Sequence, residues 1–271
     1  MPKNKLLVNF SGGIMTLNFS NLSKHMSLFV KRGFFQQDTS FEDIEITRAV
    51  SFKDLSNAYK LVYNNFLESK YIDSNDYKMR IREFELDPDT ITFIAKKDNK
   101  IIGVTSIIIS SNLPSKQLFS KELEELSSKK VCEGSNWVIV SEFNNSPILT
   151  ELLRCCLSQA LYLNFNDFIA IVSVSHSKFF EFLGFEIFSE VRNYSKEIRD
   201  PVVLIRLKLD ELDNRFKGVK IGDGDDLALL KHYYIENNPY FNKVEQWGKL
   251  AKEHFNKKLS LEEFLEIVNS I

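Results

Sequence analysis

The sequence predicts an α/β protein: a mixed sheet flanked by helices, with a helical extension at the C-terminal end. Three observations lead there. Between Glu45 and Asp210 the apolar pattern reads strand, helix, two strands, helix, strand, helix, strand, helix, two strands. One of these strands, DFIAIVSV at 167–174, is apolar without interruption, the kind buried on both faces. Beyond Asp210 the strand pattern stops and only helical spacing follows. With 271 residues, 44% of them hydrophobic, the chain can bury one sizeable core, or one core and a small appendage.

Residues 1–44 have no clean period and are read as an N-terminal arm, helical around 22–31. EITRAV (45–50) is a strand. Ser51, with Asp54 three residues on, opens a helix as a capping box. Behind it Leu55, Ala58, Tyr59, Val62, Tyr63, Phe66 and Leu67 form one apolar stripe. TITFIAKKDNKIIGVTSIIIS (90–110) gives two strands around a tight turn at Asp98–Asn99. SKELEELSSK (120–129) is a short helix with Ser120 as its cap. NWVIV (136–140) is a strand. Ser146 and Pro147 then supply a cap and a first-turn proline for a helix, ILTELLRCCLSQALYL, that is apolar nearly all round and so buried. SKFFEFLGFEIF (177–188) is a helix stopped by Gly184 and followed by a strand. DPVVLIRLKL (200–209) is the last strand. Helices are expected at 226–235, 243–255 and 260–270, the last opened by Ser260 with Glu263.

Composition excludes several classes. The net charge is −2 and the pI near 6.2, with no nucleic-acid-binding motif. Cys132, Cys155 and Cys156 suit neither a disulfide nor a zinc site, which places the chain in a reducing compartment, the cytoplasm. The four histidines form no metal-binding pair. Asn9, Ser11, Gly12 and Gly13 interrupt the N-terminal apolar residues before a signal-peptide core can form. No apolar run approaches the roughly 20 residues of a membrane span.

The element order, ending in a buried strand and FLGFEIF, resembles the GNAT acyltransferase fold. Other segments narrow this: LVYNNFLESKYI (61–72), MRIREFELDPDTITFIAKKDNKIIGVTSIII (79–109), LPSKQLFSKELEEL (113–126), CEGSNWVIV (132–140) and VRNYSKEIRDPVVLIRLKL (191–209). In this order they resemble the long-chain N-acyl amino acid synthases of the FeeM type, relatives of the acyl-homoserine-lactone synthases. The resemblance implies an N-terminal arm (1–44), a GNAT-like N-acyltransferase domain (45–210) and a helical extension (211–271). It also implies an enzyme without a bound cofactor. The donor would be the acyl-phosphopantetheine of acyl carrier protein, the acceptor a free amino acid, and the product an N-acyl amino acid.

One local feature agrees with that donor. CoA-dependent relatives carry a glycine-rich turn after the central strand, whose N–H groups hold the pyrophosphate. Here the same place reads SEFNNSPILTELL: it has no glycine, Pro147 has no N–H, and Glu142 adds negative charge.

Thioester aminolysis needs an unprotonated amine and a stabilised oxyanion, but no enzyme nucleophile. Glu133 matches by position the glutamate that the resembling families place just before this strand, and it is the candidate base. Burial beside Trp137 would raise its pKa. Otherwise it is a solvated strand-end carboxylate. Ser135, Asn136 and Trp137 follow as substrate-binding candidates; the family often has an arginine where this chain has Asn136, which brings no charge. Arg80 and Arg82 either recognise the acceptor carboxylate or pair with Glu83, Glu85 or Asp87 on a solvated edge strand; the family has an arginine at Arg80. His176, at a strand end, is either a proton donor to the leaving thiol or a solvated cap. Cys132 is core, because its acidic neighbour disfavours a thiolate. Arg154, Lys178 and Arg192 either meet a carrier protein or are scattered surface cations. Backbone N–H groups of the splayed central strand would hold the oxyanion. Three other readings are an acyl-homoserine-lactone synthase using S-adenosylmethionine, a non-catalytic acyl-binding module and a CoA-dependent acetyltransferase.

Overall fold

The structure is a computed structural model and describes residues 5–10, 13–18, 22–31, 43–144, 146–194, 200–219, 225–253 and 255–271. Within the first 44 residues it has a hairpin, β1 (Lys5–Phe10) and β2 (Gly13–Asn18), and a helix, α1 (Lys24–Lys31). The hairpin has no counterpart in the sequence reading. Strand β3 (Ile44–Arg48) leads into α2 (Phe52–Glu68), capped by Ser51 Oγ accepting from the Asp54 N–H at 3.1 Å. Next come β4 (Thr90–Lys97) and β5 (Lys100–Ile108). Asp98 and Asn99 between them have φ of 49° and 60°, the left-handed pair a tight hairpin turn requires. A 3₁₀ turn (Pro114–Gln117) precedes α3 (Ser120–Glu125).

Strand β6 (Val131–Ile139) is longer than NWVIV predicts, so Glu133 lies inside the strand and not before it. It is followed by α4 (Ile148–Tyr162), β7 (Asp167–Ser173), α5 (Val174–Phe182), two short strands β8 (Glu186–Ile187) and β9 (Arg192–Asn193), and β10 (Pro201–Lys208). The extension holds α6 (Leu212–Phe216), α7 (Asp226–Lys231) running into a π-helical turn at His232–Glu236, α8 (Val244–Lys252) and α9 (Leu261–Asn269). Ser260 and Glu263 form the expected capping box on α9. Ser120 is not a cap: it is the first residue of α3, and Phe119 precedes it without a side-chain bond.

The main sheet runs β3-β4-β5-β6-β7-β10-β8, with β9 also on β10. Every pairing is antiparallel except β6 with β7. The parallel pair holds only from Val131↔Asp167 to Gly134↔Ala170; beyond it both strands continue without each other. One face carries α4, α5, α7 and α8 over Phe93, Cys132 and Phe168. The other carries α2 over Ile94, Val104 and Val138, and α3 with its preceding turn over Ile108, Ile169 and Leu204. Cys132 is fully buried and burial drives its thiol pKa well up, as a core cysteine requires.

The extension is fastened by a buried charge cluster. Arg154 on α4 donates to Glu151 at 2.8 Å and lies 3.9 Å over the Tyr233 ring. Tyr233 and Tyr240 both donate to the Glu151 carboxylate. Arg154 is therefore a core residue, neither a carrier-protein contact nor a surface cation. Lys178 is exposed beside Glu181, and Arg192 pairs with Glu122 at 2.6 Å. Among the described residues no helix is long and apolar enough to cross a membrane, and no three His, Cys, Asp or Glu side chains gather as metal ligands.

Candidate active site

Side chains alternate along a strand, so residues opposite one another on neighbouring strands share a face. Glu133 is opposite Ile108 on β5 and Ile169 on β7. Both are buried, and Leu113 and Phe119 close over the same face. Glu133 itself is 2% exposed and accepts one hydrogen bond, from the Ser115 N–H at 2.9 Å. Burial pushes its carboxyl up to about 7, against the pull of Ser115 and Arg82. The apolar neighbours are isoleucines on the flanking strands. Trp137 is on the opposite face: a Cβ at Gly134 would meet its ring at 2.6 Å, and its ring packs against Phe168 and Phe180.

Two residues beyond Glu133, on the same face, Ser135 accepts from Arg82 Nη2 at 3.0 Å. Arg82 also donates from Nε to Glu85 at 3.1 Å, and its backbone N–H donates to the same carboxylate at 2.7 Å. Arg80 donates to Asn136 Oδ1 at 2.8 Å, and Asn136 Nδ2 donates to Glu85 at 3.1 Å and Ser106 Oγ at 3.3 Å. The segment carrying Arg80, Arg82 and Glu85 is a run of turns, not an edge strand, and the pairing is buried rather than solvated. Tyr59 on α2 holds it in place: its carbonyl accepts from the Arg80 N–H at 3.1 Å and its hydroxyl donates to the Glu85 carbonyl at 2.8 Å.

Burial opposes ionisation of Glu85, but Arg82 and then Arg80 outweigh it and hold the carboxyl below its usual range. Burial, then the adjacent Arg82, lowers Arg80 to about 10. Asn136 occupies a bulge in β6, where Val138↔Val104 gives way to Ser135↔Ser106, and has φ of 56°. Asparagine tolerates that left-handed conformation better than arginine. Its amide is spent on Arg80, Glu85 and Ser106, so it ties the cluster together.

Of the residues singled out from sequence, the structure brings Arg80, Arg82, Glu133, Ser135 and Asn136 together. Trp137 sits across the strand, at the point where β6 and β7 part, with its indole N–H buried and unpaired. His176 is exposed on the first turn of α5, and no bond ties it to the cluster. Sequence reading missed Ser106, Ser115 and Tyr59, and treated Glu85 as one of three solvated acids.

A mixed sheet flanked by helices, parting between β6 and β7, is the fold of the GNAT-like N-acyltransferases, and this chain belongs to that class of acyl-transferring enzyme. The sequence matches the family described as N-acyl amino acid synthase FeeM over residues 57–208, more than half of the chain. The chain belongs to that family. The structure of FeeM, an N-acyl amino acid synthase from uncultured soil microbes, superposes with a TM-score of 0.55 at 19% identity, covering 62% of this chain and 92% of that one. TofI, solved with an inhibitor and MTA, gives 0.50 at 14% identity over 62% and 91%. The AHL synthase LasI gives 0.48 at 18% identity over 61% and 89%. No curated protein sequence matches the chain significantly.

Proposed function

We propose that the chain transfers a long-chain acyl group from the phosphopantetheine thioester of acyl carrier protein to the α-amine of an amino acid, in the cytoplasm. The observation that carries this is Glu133: a buried carboxyl poised near 7, inside the central strand, one residue from the parting of the sheet. That value suits a general base working at neutral pH. Glu133 takes the proton of the acceptor ammonium, and the free amine attacks the thioester carbonyl. The tetrahedral oxyanion is held by N–H groups on the edge of β6 left unpaired beyond Gly134, with Trp137 lining the donor side. Collapse breaks the C–S bond; the acylated nitrogen gives its second proton to water, His176 protonates the leaving thiolate, and solvent restores His176 as Glu133 releases its proton. Two guanidiniums, Arg80 and Arg82, face the single carboxylate of Glu85, and the surplus positive charge suits the acceptor carboxylate, with Ser135 and Asn136 keeping both arginines in register.

The turn before α4 supports a carrier-protein donor. Glu142 is exposed there, Pro147 is the N-cap residue, and a CoA diphosphate would find no glycine cradle.

The test is turnover of a long-chain acyl carrier protein with a mixture of amino acids, read by product mass and by thiol release. An N-acyl amino acid is expected without S-adenosylmethionine. Glu133→Gln is expected to lower kcat/KM by about 10²–10⁴-fold. Wild-type kcat/KM should climb with pH and level off near 7 on the enzyme limb. Equal turnover by Glu133→Gln at every pH would remove Glu133 from the chemistry. A strict need for S-adenosylmethionine, or preference for acyl-CoA, would overturn the acceptor or the donor.

A further inference from the structure

Buried charges in this fold are answered by opposite ones: Glu85 by Arg82, Glu151 by Arg154, Asp167 by Arg206. Arg48 is an exception. It ends β3 and is 9% exposed, yet among the described residues its guanidinium has no acid within ion-pair distance and no hydrogen-bond acceptor. Burial lowers its pKa to about 10, and no neighbouring acid offsets the effect. An unanswered buried cation is costly to keep. Its Nη1 reaches toward α8, 3.9 Å from the position a Cβ at Gly248 would take.

Arg48 lines a narrow crevice, open to solvent, between the start of α2 and the segment that enters α9. The walls are mainly apolar, with Phe52, Leu55, Phe255, Leu259 and Phe264; Thr90 and Thr92 add hydroxyls, and Lys257, a second cation in the lining, is paired with Glu263 at 2.9 Å. The two acids on its rim are engaged elsewhere, Glu85 by Arg82 and Asp87 by Lys258 at 3.8 Å. Glu133 does not line the crevice.

We propose that this crevice binds a carboxylate carried on an apolar body, with the carboxylate on Arg48 and the body against Phe52, Phe255 and Phe264. A guanidinium supplies paired N–H donors that match a carboxylate, and the aromatic walls favour an apolar chain or ring over a hydrated anion such as phosphate.

Calorimetric titration of the full chain with decanoate and with 3-phenylpropionate tests this, each beside its uncharged alcohol, decanol or 3-phenylpropanol. The two acids distinguish an alkyl from an aromatic body. Saturable binding of at least one acid is expected, with its alcohol roughly tenfold or more weaker, the loss typical of a hydrogen bond to a charged group. Arg48→Met should lose binding by a similar factor while melting no lower than the wild type, because it removes an uncompensated charge. Equal binding of acid and alcohol by the wild type overturns the proposal without any variant. So does undiminished binding by Arg48→Met, or no saturable binding of either acid. Acyl transfer is scored separately, so failure here leaves the role of Glu133 standing.

Discussion

Glu85 and Glu133 are buried to nearly the same extent, 3% and 2% exposed, yet their carboxyls move in opposite directions. Glu85 has Arg82 and Arg80 against it and stays ionised. Glu133 has isoleucines on both flanking strands, a single N–H donor, and Arg82 only as a distant charge. Burial alone does not decide the state of a carboxyl; the partners do. Glu85 thus holds a fixed charge that organises the arginines, and Glu133 is the proton acceptor in the reaction we propose, the division of labour that divergent pKa values mark in catalytic pairs.

The sharpest way to break the comparison is Glu85→Ala. It strands two neighbouring guanidiniums in the interior and is expected to destabilise the fold by about 3–5 kcal/mol, the cost of breaking a buried pair. Urea denaturation would show it. A loss within 0.5 kcal/mol would mean that water already shields the cluster.

Glu133→Gln should do the reverse at high pH. The folded carboxyl, near 7, lies above the ordinary glutamate value of 4.5. Between those values the folded state binds more protons than the unfolded state, so wild-type stability falls as pH rises, then levels off above 7. Glutamine removes that decline. From pH 4.5 to 8 the variant should gain up to about 3 kcal/mol relative to wild type. Parallel stability curves for the two proteins would place the Glu133 pKa in the ordinary range.

The smallest effect tests the link between the two acids. Arg82→Gln should raise the midpoint of the Glu133 limb in the kcat/KM profile by about one unit or less, since Arg82 favours ionised Glu133. An unmoved midpoint would show Glu133 to be electrostatically independent of the Arg82–Glu85 pair.

The sequence made the helices around 52–68 and 261–269 legible through their caps and spacing, the helix at 148–162 through its apolar run, although its N-cap is Pro147 and not Ser146, and the β4–β5 turn through Asp98–Asn99. These are local signals. Glu133 was legible as a residue, by its resemblance to a family position, but its environment was not. Its isoleucine neighbours arrive from strands 25 and 36 residues away in sequence, fixed by register. Glu85 was hidden for a related reason: three acids follow Arg82 closely, and only the fold of residues 79–89 decides which one turns inward. The bulge at Asn136 leaves no periodic signature, so a tying amide read as a missing arginine. Arg154 looked like a surface charge because the tyrosines and the glutamate that enclose it combine a helix neighbour with residues about 80 positions downstream.

The last helix has a consequence for how the protein comes into being. Phe264 packs against Phe52 and Tyr59, and the Leu259 N–H donates to the Leu86 carbonyl at 3.2 Å. Tyr59 is also the residue that fastens Arg80 and Glu85. The ribosome makes Tyr59 well before Phe264, at roughly 5–20 residues per second. Until Phe264 emerges, the growing chain therefore carries its arginine cluster with one wall missing. The turn that Tyr59 fastens is therefore closed off by a helix the ribosome delivers long after it, so this part of the fold is completed by late synthesis and not by local sequence.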